Sequence, residues 1–231
     1  RMFSSGRHDR AFYQSMWETI SSAGFWQGEI WNRRKYGGVF PEWLGISALR
    51  DENGKVNHYV AIFTDLTEVK AAEERIEFLA SRDPLTGLPN RLMFRDRFER
   101  AAGKAAREGA AVALLYFDLN QFQLWNATLG PASGDLLIRQ VAERLGRAAG
   151  EDTTISRQGG DEFLLLEGLG TGGPAEAAAA AERLLGSLHE SFAVDHHRIS
   201  LTASIGISLF PRDGRDFDVL FQKADGALGH A

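Results

Sequence analysis

The feature that most constrains this sequence is an uninterrupted apolar run that ends in an acidic residue. Residues 111–117 read Ala-Val-Ala-Leu-Leu-Tyr-Phe, and Asp118 follows directly. A continuous run of this kind is typical of a central strand that is covered on both faces. It therefore predicts a sheet flanked by helices, with a carboxylate at the sheet edge where ligands of such folds bind.

Helical and strand patterns alternate around this run. Helices are predicted over 90–107, 133–148, 175–192 and 216–231, and strands over 154–158, 163–166 and 200–210. Only a tight turn, Gly159-Gly160, joins the strands at 154–158 and 163–166, so this pair must be antiparallel. We expect a mixed central sheet flanked by helices, in the mixed α and β class.

Residues 1–66 show a different pattern. It predicts one helix and then three strands, over 9–23, 25–32, 39–46 and 56–64. The pair Asn53-Gly54 favours a hairpin turn before the last strand. One helix and a three-stranded antiparallel meander make a small fold, so we expect the back part of a larger domain.

A helical connector is predicted between these two regions, over residues 67–81. Its apolar residues, Val69, Ala72, Ile76 and Leu79, recur at steps of three and four. A short coiled-coil seam and a surface helix packed on one domain both fit this spacing. The expected domains are therefore 1–66, 67–81 and 82–231, and we expect the last to continue past Ala231.

The composition limits the chemistry that the chain can carry out. The net charge of −5 argues against a nucleic-acid partner, which normally requires a basic surface. There is no cysteine, which removes disulfides and thiolate nucleophiles. No apolar run approaches the roughly 20 residues that span a bilayer, so we expect a cytoplasmic protein with no membrane span in this segment.

Two further acidic residues follow the predicted tight turn, in the order Gly159-Gly160-Asp161-Glu162. If the strands around this turn lie beside the strand that ends at Asp118, then Asp118 and Asp161 converge. Separated carboxylates suit Mg²⁺, which binds together with substrate phosphates. This favours a site for phosphoryl transfer, although an ordinary exposed hairpin turn also uses Gly and Asp.

Five ordered motifs resemble the GGDEF family of diguanylate cyclases. Residues 159–163 spell Gly-Gly-Asp-Glu-Phe, and the other motifs lie within 83–91, 117–135, 202–207 and 224–228. The resemblance spans 82–231 and implies a nucleotidyl-cyclase-like domain. Such a domain condenses two GTP molecules into cyclic di-GMP, and each half of a homodimer holds one GTP.

The resemblance also implies roles for the acidic residues. Asp118 and Asp161 would ligate Mg²⁺ or Mn²⁺, helped by the carbonyl of Leu119. Glu162 would assist deprotonation of the attacking ribose 3′-hydroxyl or share in metal binding.

Substrate contacts are implied in the same way. Asn126 and Asp135 would pair with the guanine edge, since amides and carboxylates match its donors and acceptors. The backbone N–H groups around Gln121 and Phe122 would cradle the phosphates. The Gly159-Gly160 backbone would let the nucleotide approach closely.

Two departures from the family pattern support a second hypothesis. Asn120 stands where the family usually has Asp, and Gln123 where it usually has Lys. Losing the Lys removes a positive charge near the triphosphate, which lowers affinity or rate. The alternative is a weak or inactive GTP-binding domain that regulates an adjacent EAL-type phosphodiesterase domain.

A second resemblance covers the first region. Residues 28–35 and 65–70 resemble the closing strands and exit of a PAS sensor domain, of which only the C-terminal half is present. A PAS sensor would regulate the cyclase, and a PAS-mediated dimerisation module is a third hypothesis. Four tryptophans could line a ligand pocket or form an aromatic core: Trp17, Trp26, Trp31 and Trp43. The aromatic core is the favoured interpretation, and no ligand is assigned.

Overall fold

The first structural unit is a helix packed on a three-stranded sheet. The computed structural model describes residues 4–150 and 152–229, which divide into two units between Ile76 and Glu77. Helix α1 (Arg10–Ala23) begins after an Asp9 cap and ends at Gly24. It is followed by β1 (Phe25–Arg33), β2 (Val39–Arg50) and β3 (Val56–Asp65), which pair antiparallel in that order.

The core of this unit is small, because one helix cannot cover three strands. A helix is about 10 Å wide and strands lie about 4.8 Å apart, so α1 covers roughly two of them. None of the residues of β3 is buried. The expected aromatic core is wrong for Trp17 and Trp43, which are 44% and 46% exposed. Trp26 does pack, partly buried, against the core formed by Met16, Ile20, Ile30, Leu44 and Ile46.

Helix α2 (Thr67–Ser81) follows β3. The Asp65 carboxylate starts it by accepting hydrogen bonds from the Thr67 backbone N–H (2.9 Å) and hydroxyl (2.6 Å). No residue of α2 is buried. The seam proposed from its spacing therefore stays a prediction.

The second unit begins with a capped helix and builds a four-stranded sheet. Asn90 caps the first helix by accepting from the Met93 N–H. The elements are α3 (Arg91–Glu108), β4 (Ala111–Leu119), α4 (Phe122–Leu129), α5 (Pro131–Ala148), β5 (Thr154–Gly159), β6 (Glu162–Gly170), α6 (Pro174–Gly186), β7 (Phe192–Val194), β8 (His197–Ile199), β9 (Ala203–Phe210) and α7 (Phe217–Leu228).

The strand order in this sheet is β5-β6-β4-β9. The mixed α and β fold class is confirmed, but the expected mixed sheet is not, because each of its described pairings is antiparallel. Strands β4 and β5 do run in the same direction, yet β6 lies between them. The connection from β4 to β5, which contains α4 and α5, leaves one position between these two strands, and β6 fills it. The two parallel strands are therefore not neighbours in the sheet.

Strand β4 is covered on both faces, as its apolar run predicts. Alternate side chains enter two separate cores, because successive residues of a strand point to opposite faces. Ala113, Leu115 and Phe117 pack under α5 and α6, while Val112, Leu114 and Tyr116 pack under α3 and α7. Asp118 continues the second set, so its side chain lies on the α3 and α7 side.

The structure also corrects several predicted boundaries. Helix α4 was not predicted, and the helix predicted over 175–192 ends at Gly186. A short hairpin, β7 and β8, takes up part of the remaining chain, and β9 begins only at Ala203. The last two residues of the helix predicted over 216–231 lie outside the described residues. No helix within 4–150 and 152–229 is long and apolar enough to cross a bilayer.

The close approach of β9 and α7 gives a test of this packing. A Cβ at Gly206 would lie 2.7 Å from the Leu228 backbone nitrogen and closer still to the Ala224 carbonyl oxygen. Gly206→Ala is therefore expected to lower the free energy of unfolding by about 3 kcal/mol. Gly168→Ala is the matched control, because nothing lies within 4 Å of its Cβ position. Urea denaturation measures both, and equal losses would contradict the close packing.

Candidate active site

Three carboxylates lie near the end of β4. Asp118 lies opposite Glu162 of β6 and opposite Ser204 of β9 in the strand register. Asp161 lies in the turn between β5 and β6. Burial, together with the negative charges of Asp161 and Glu162, raises the pKa of Asp118 to about 6. The structure thus brings together the acidic residues that the sequence singles out.

In the described part of the chain, no salt bridge balances the charge of this cluster. Among residues 4–150 and 152–229, no Lys or Arg forms a salt bridge with Asp118, Asp161 or Glu162. The same residues contain no group of three or more His, Cys, Asp and Glu side chains placed to hold a metal. Two carboxylates and the neighbouring Leu119 carbonyl suit a hydrated divalent cation that takes its remaining ligands from water and phosphate.

The Gly159-Gly160 turn is shaped by its backbone. Gly159 has φ = 134° and Gly160 has φ = 52°, a region that side chains with a Cβ rarely adopt. Nothing lies within 4 Å of either Cβ position, and both residues are exposed. The turn therefore presents bare backbone beside the carboxylates.

The segment after β4 turns sharply into α4. Gln121 adopts φ = 61°, which is uncommon for a residue other than glycine. Phe122 then anchors the helix with a buried side chain. The first N–H groups of a helix have no intrahelical acceptor, so those around Phe122 are available to an anion.

The two residues expected to contact guanine lie on successive helices. Asn126 belongs to α4, and Asp135 lies on α5 with an exposed side chain. The Asn126 amide crosses directly over Gly134, with its amide carbon 3.1 Å from the Cβ position there. Gly134 thus makes room for Asn126 next to Asp135.

The residues that depart from the family pattern also have defined environments. The Asn120 amide donates to the Thr202 hydroxyl (3.1 Å) and accepts from the Ser204 hydroxyl (3.2 Å). An aspartate could accept but not donate at this position. Gln123 is exposed on the first turn of α4.

Sequence reasoning missed Tyr116, which lies two residues before Asp118. Its side chain is buried, and burial together with the nearby Glu162 carboxylate raises the pKa of its hydroxyl. The tyrosine therefore lies close to Glu162, which pairs with Asp118 across the sheet. Sequence reasoning counted Tyr116 as one of the hydrophobic residues of the buried strand and did not consider its hydroxyl group.

Sequence reasoning also missed Arg157, which holds the acidic turn in place. Its Nε and one terminal nitrogen donate to the Gly160 carbonyl at 3.1 and 2.7 Å. Its other terminal nitrogen lies 3.1 Å from both oxygens of Asp83. Burial opposes ionisation of Asp83, but hydrogen bonds from Thr86 and Arg157 lower its pKa overall. The sequence did contain a signal for this role, because Arg157 is a charged residue within a predicted strand, two positions before Gly159.

The Asp83–Arg157 ion pair gives a prediction about stability. The two side chains are only 12% and 11% exposed, so Arg157→Gln leaves a carboxylate in a poorly hydrated place. We expect a loss of about 3 kcal/mol in the free energy of unfolding, measured by urea denaturation.

The exposed pair Asp96–Arg100 supplies the matched control for this ion pair. Its side chains are 54% and 78% exposed, so Arg100→Gln should cost less than about 1 kcal/mol. If both variants lose the same stability, Arg157 does not hold the turn as described.

The family model described as "Diguanylate cyclase, GGDEF domain" matches residues 80–231. The fold, the acidic turn and the position of Asp118 agree with this match. The chain therefore belongs to the GGDEF family of diguanylate cyclase domains.

Related proteins with different activities carry this domain. The bifunctional diguanylate cyclase/cyclic di-GMP phosphodiesterase MucR of Pseudomonas aeruginosa is 39% identical over 165 residues, covering 71% of this chain and 24% of MucR. The cyclic di-GMP phosphodiesterase PdeR of Escherichia coli is 34% identical, covering 71% of this chain and 24% of PdeR. The chain thus spans about a quarter of the length of these curated relatives.

Solved structures agree with the fold of the second unit. A sensory box/GGDEF family protein from Caulobacter crescentus has a TM-score of 0.63 and 35% identity, covering 65% of this chain and 97% of that one. The GGDEF domain of TpbB from Pseudomonas aeruginosa has a TM-score of 0.62 and 32% identity, covering 65% of this chain and 87% of that one.

Proposed function

We propose that this chain is a diguanylate cyclase module that condenses two GTP molecules into cyclic di-GMP. The observation that carries the proposal is the cluster of Asp118, Asp161 and Glu162 at one end of the sheet, which forms no salt bridge with the Lys and Arg side chains of the described residues. Uncompensated carboxylates beside a bare glycine turn suit a metal-bound triphosphate.

In this mechanism each ribose 3′-oxygen attacks the α-phosphorus of the other GTP. Two new 3′-oxygen–phosphorus bonds form, two bonds between the α- and β-phosphates break, and two pyrophosphates leave. Glu162 takes the hydroxyl proton, and the nearby Tyr116 helps to keep Glu162 in position. Asp118, Asp161 and the Leu119 carbonyl would hold Mg²⁺ or Mn²⁺, which supplies charge neutralisation at the phosphates.

The remaining contacts bind and orient the nucleotide. The N–H groups around Gln121 and Phe122 face the phosphates, and the Gly159-Gly160 backbone lies against the nucleotide. Asn126 and Asp135 pair with guanine. Since one domain holds one GTP, the reaction needs two copies of the chain.

The domain organisation belongs to the same proposal. Residues 1–66 form the C-terminal part of a PAS-like sensor, 67–81 the signalling connector and 82–231 the GGDEF domain, in a cytoplasmic protein. The exposed apolar residues of α2 support a connector that contacts a second chain.

A catalytically weak GTP-binding domain is the second candidate. The exposed Gln123 offers no positive charge to the triphosphate, and Asn120 is already hydrogen-bonded to β9. PdeR, one of the relatives, carries the name of a phosphodiesterase alone. In this case the chain binds GTP and regulates an adjacent EAL-type phosphodiesterase domain.

Product analysis with GTP and Mg²⁺ decides between these functions. The cyclase hypothesis predicts cyclic di-GMP and pyrophosphate in a 1:2 ratio, read by liquid chromatography. Asp161→Ala should lower turnover at least about 100-fold by removing a metal ligand. Asp152→Ala, an exposed acidic residue outside the cluster, is the control and should stay active. GTP binding without any product would support the regulatory domain instead.

The packing of Asn126 over Gly134 tests the guanine contact. Gly134→Ala should displace the Asn126 amide and weaken GTP binding by about tenfold, measured by calorimetry. Gly146→Ala on the same helix is the matched control, because nothing lies within 4 Å of its Cβ position. Unchanged GTP affinity in the folded Gly134→Ala variant would remove Asn126 from the binding site.

A further inference from the structure

Asn120 joins the end of β4 to the start of β9 through hydrogen bonds of its backbone and its side chain. Its backbone N–H donates to the Thr202 carbonyl oxygen (2.9 Å), which continues the pairing of the two strands by one residue. Its amide donates to the Thr202 hydroxyl (3.1 Å) and accepts from the Ser204 hydroxyl (3.2 Å). Asn120 is therefore held in one orientation beside the acidic cluster.

The Ser204 hydroxyl lies close to a second acceptor, the Asp118 carboxylate. Ser204 and Asp118 are directly opposite in the register of β9 and β4, where Cβ atoms lie about 5 Å apart. A carboxylate is the stronger acceptor, because a hydrogen bond to a charged group is roughly twice as strong as a neutral one. The hydroxyl nevertheless donates to the Asn120 amide. In the part of the chain that the structure describes, no side chain donates a hydrogen bond to Asp118.

The direction of this hydrogen bond matters because β4 lies between β6 and β9. Asp161 directly precedes β6, whereas Ser204 belongs to β9. A cation that is shared by Asp118 and Asp161 has to lie on the β6 side of Asp118. A hydrogen bond from Ser204 would draw the Asp118 carboxylate toward β9 and would occupy one of its lone pairs.

We propose that Asn120 is a positioning residue that keeps the Ser204 hydroxyl away from Asp118, so that the Asp118 carboxylate can bind a divalent cation. The inference rests on the proposed role of Asp118 as a metal ligand. It adds a residue that does not bind the metal itself but decides which partner the neighbouring hydroxyl takes. The same contacts hold the chain on either side of the Leu119 carbonyl, since Asp118 and Asn120 both pair with β9.

Mn²⁺ binding to the full chain without nucleotide, measured by electron paramagnetic resonance, tests this role. Asn120→Ala should weaken Mn²⁺ binding by about tenfold, because the released Ser204 hydroxyl then donates to Asp118. Asn120 is only partly buried, so the fold should tolerate the substitution. Asn120→Asp keeps an acceptor for Ser204 and should bind Mn²⁺ at least as tightly as the wild type.

Thr202→Val is the matched control for the loss of a hydrogen bond at Asn120. It removes the other side-chain partner of Asn120 but leaves the acceptor of the Ser204 hydroxyl in place. Its Mn²⁺ affinity should therefore stay within about threefold of the wild type. A tenfold loss in Thr202→Val would show that any disturbance of this contact has the same effect, and would overturn the specific role of Ser204.

A double variant separates positioning from a general structural role. Ser204→Ala alone should leave Mn²⁺ affinity unchanged, and Asn120→Ala combined with Ser204→Ala should restore it to within about threefold of the wild type. A merely structural role predicts the reverse, because the second substitution removes a further polar contact. Additive losses would overturn the proposal, as would tighter binding by Ser204→Ala alone or a wild type that binds no Mn²⁺.

Turnover of GTP by the wild type, measured separately, keeps this test distinct from that of the cyclase. A chain that makes no cyclic di-GMP but shows rescue by the double variant would refute the proposed activity and support the role of Asn120. A chain that makes cyclic di-GMP but shows additive losses of Mn²⁺ affinity would support the cyclase and refute the role of Asn120.

Discussion

Burial of β4 on both faces is the constraint on which the second unit depends. Leu114, Leu115 and Phe117 are fully buried, and each contributes about 2 kcal/mol by leaving water. A shift of one residue along β6 would turn each of these side chains to the wrong core. Packing therefore fixes the register that places Asp118 opposite Glu162.

The acidic cluster is tolerated because its electrostatic cost is smaller than the free energy gained by burying β4. Raising the pKa of Asp118 from 3.8 to about 6 corresponds to about 3 kcal/mol of unfavourable interaction, and solvent screening reduces this further. The buried apolar residues of β4 together contribute more than that. The stable core thus carries an unfavourable concentration of negative charge, which the proposed metal ion would reduce.

Arg157 shows how the fold keeps this charge available. It lies near the acidic turn, where an arginine could neutralise a carboxylate of the cluster. Instead its guanidinium contacts the Gly160 carbonyl and the separate carboxylate of Asp83. Arg157 therefore fixes the turn through its backbone and leaves Asp161 and Glu162 for a ligand. Arg157 thereby links the turn at Asp83 to the acidic turn.

Sequence patterns predicted the parts of this structure that depend on local periodicity. The buried strand and the hairpin at Gly159-Gly160 follow from apolar runs and turn residues. The approach of Asp161 to Asp118 follows only once β6 lies beside β4. Sequence patterns did not predict the features that depend on contacts between residues far apart in the sequence. The direction of neighbouring strands depends on which position a crossover skips, and the contacts of Arg157 join residues 74 positions apart.

The exposed tryptophans of the first unit show the same limit. Trp17 and Trp43 are apolar residues of the kind that form cores. They are nevertheless exposed, because one helix covers only part of the sheet. Burial is a property of the assembled layers, so apolar residues alone do not reveal it.

The departures at Asn120 and Gln123 can be weighed against the residues that remain. A hydrogen bond to a charged group contributes about 1.5–3 kcal/mol, so loss of one lysine contact lowers binding or rate by roughly 10- to 150-fold. That is a large change, but the lost lysine would contact the phosphates and would not take part in the bond-making step itself. Asp118, Asp161 and Glu162 keep their positions at the end of the sheet. These retained carboxylates are the ground on which we propose a slow cyclase rather than a domain without activity.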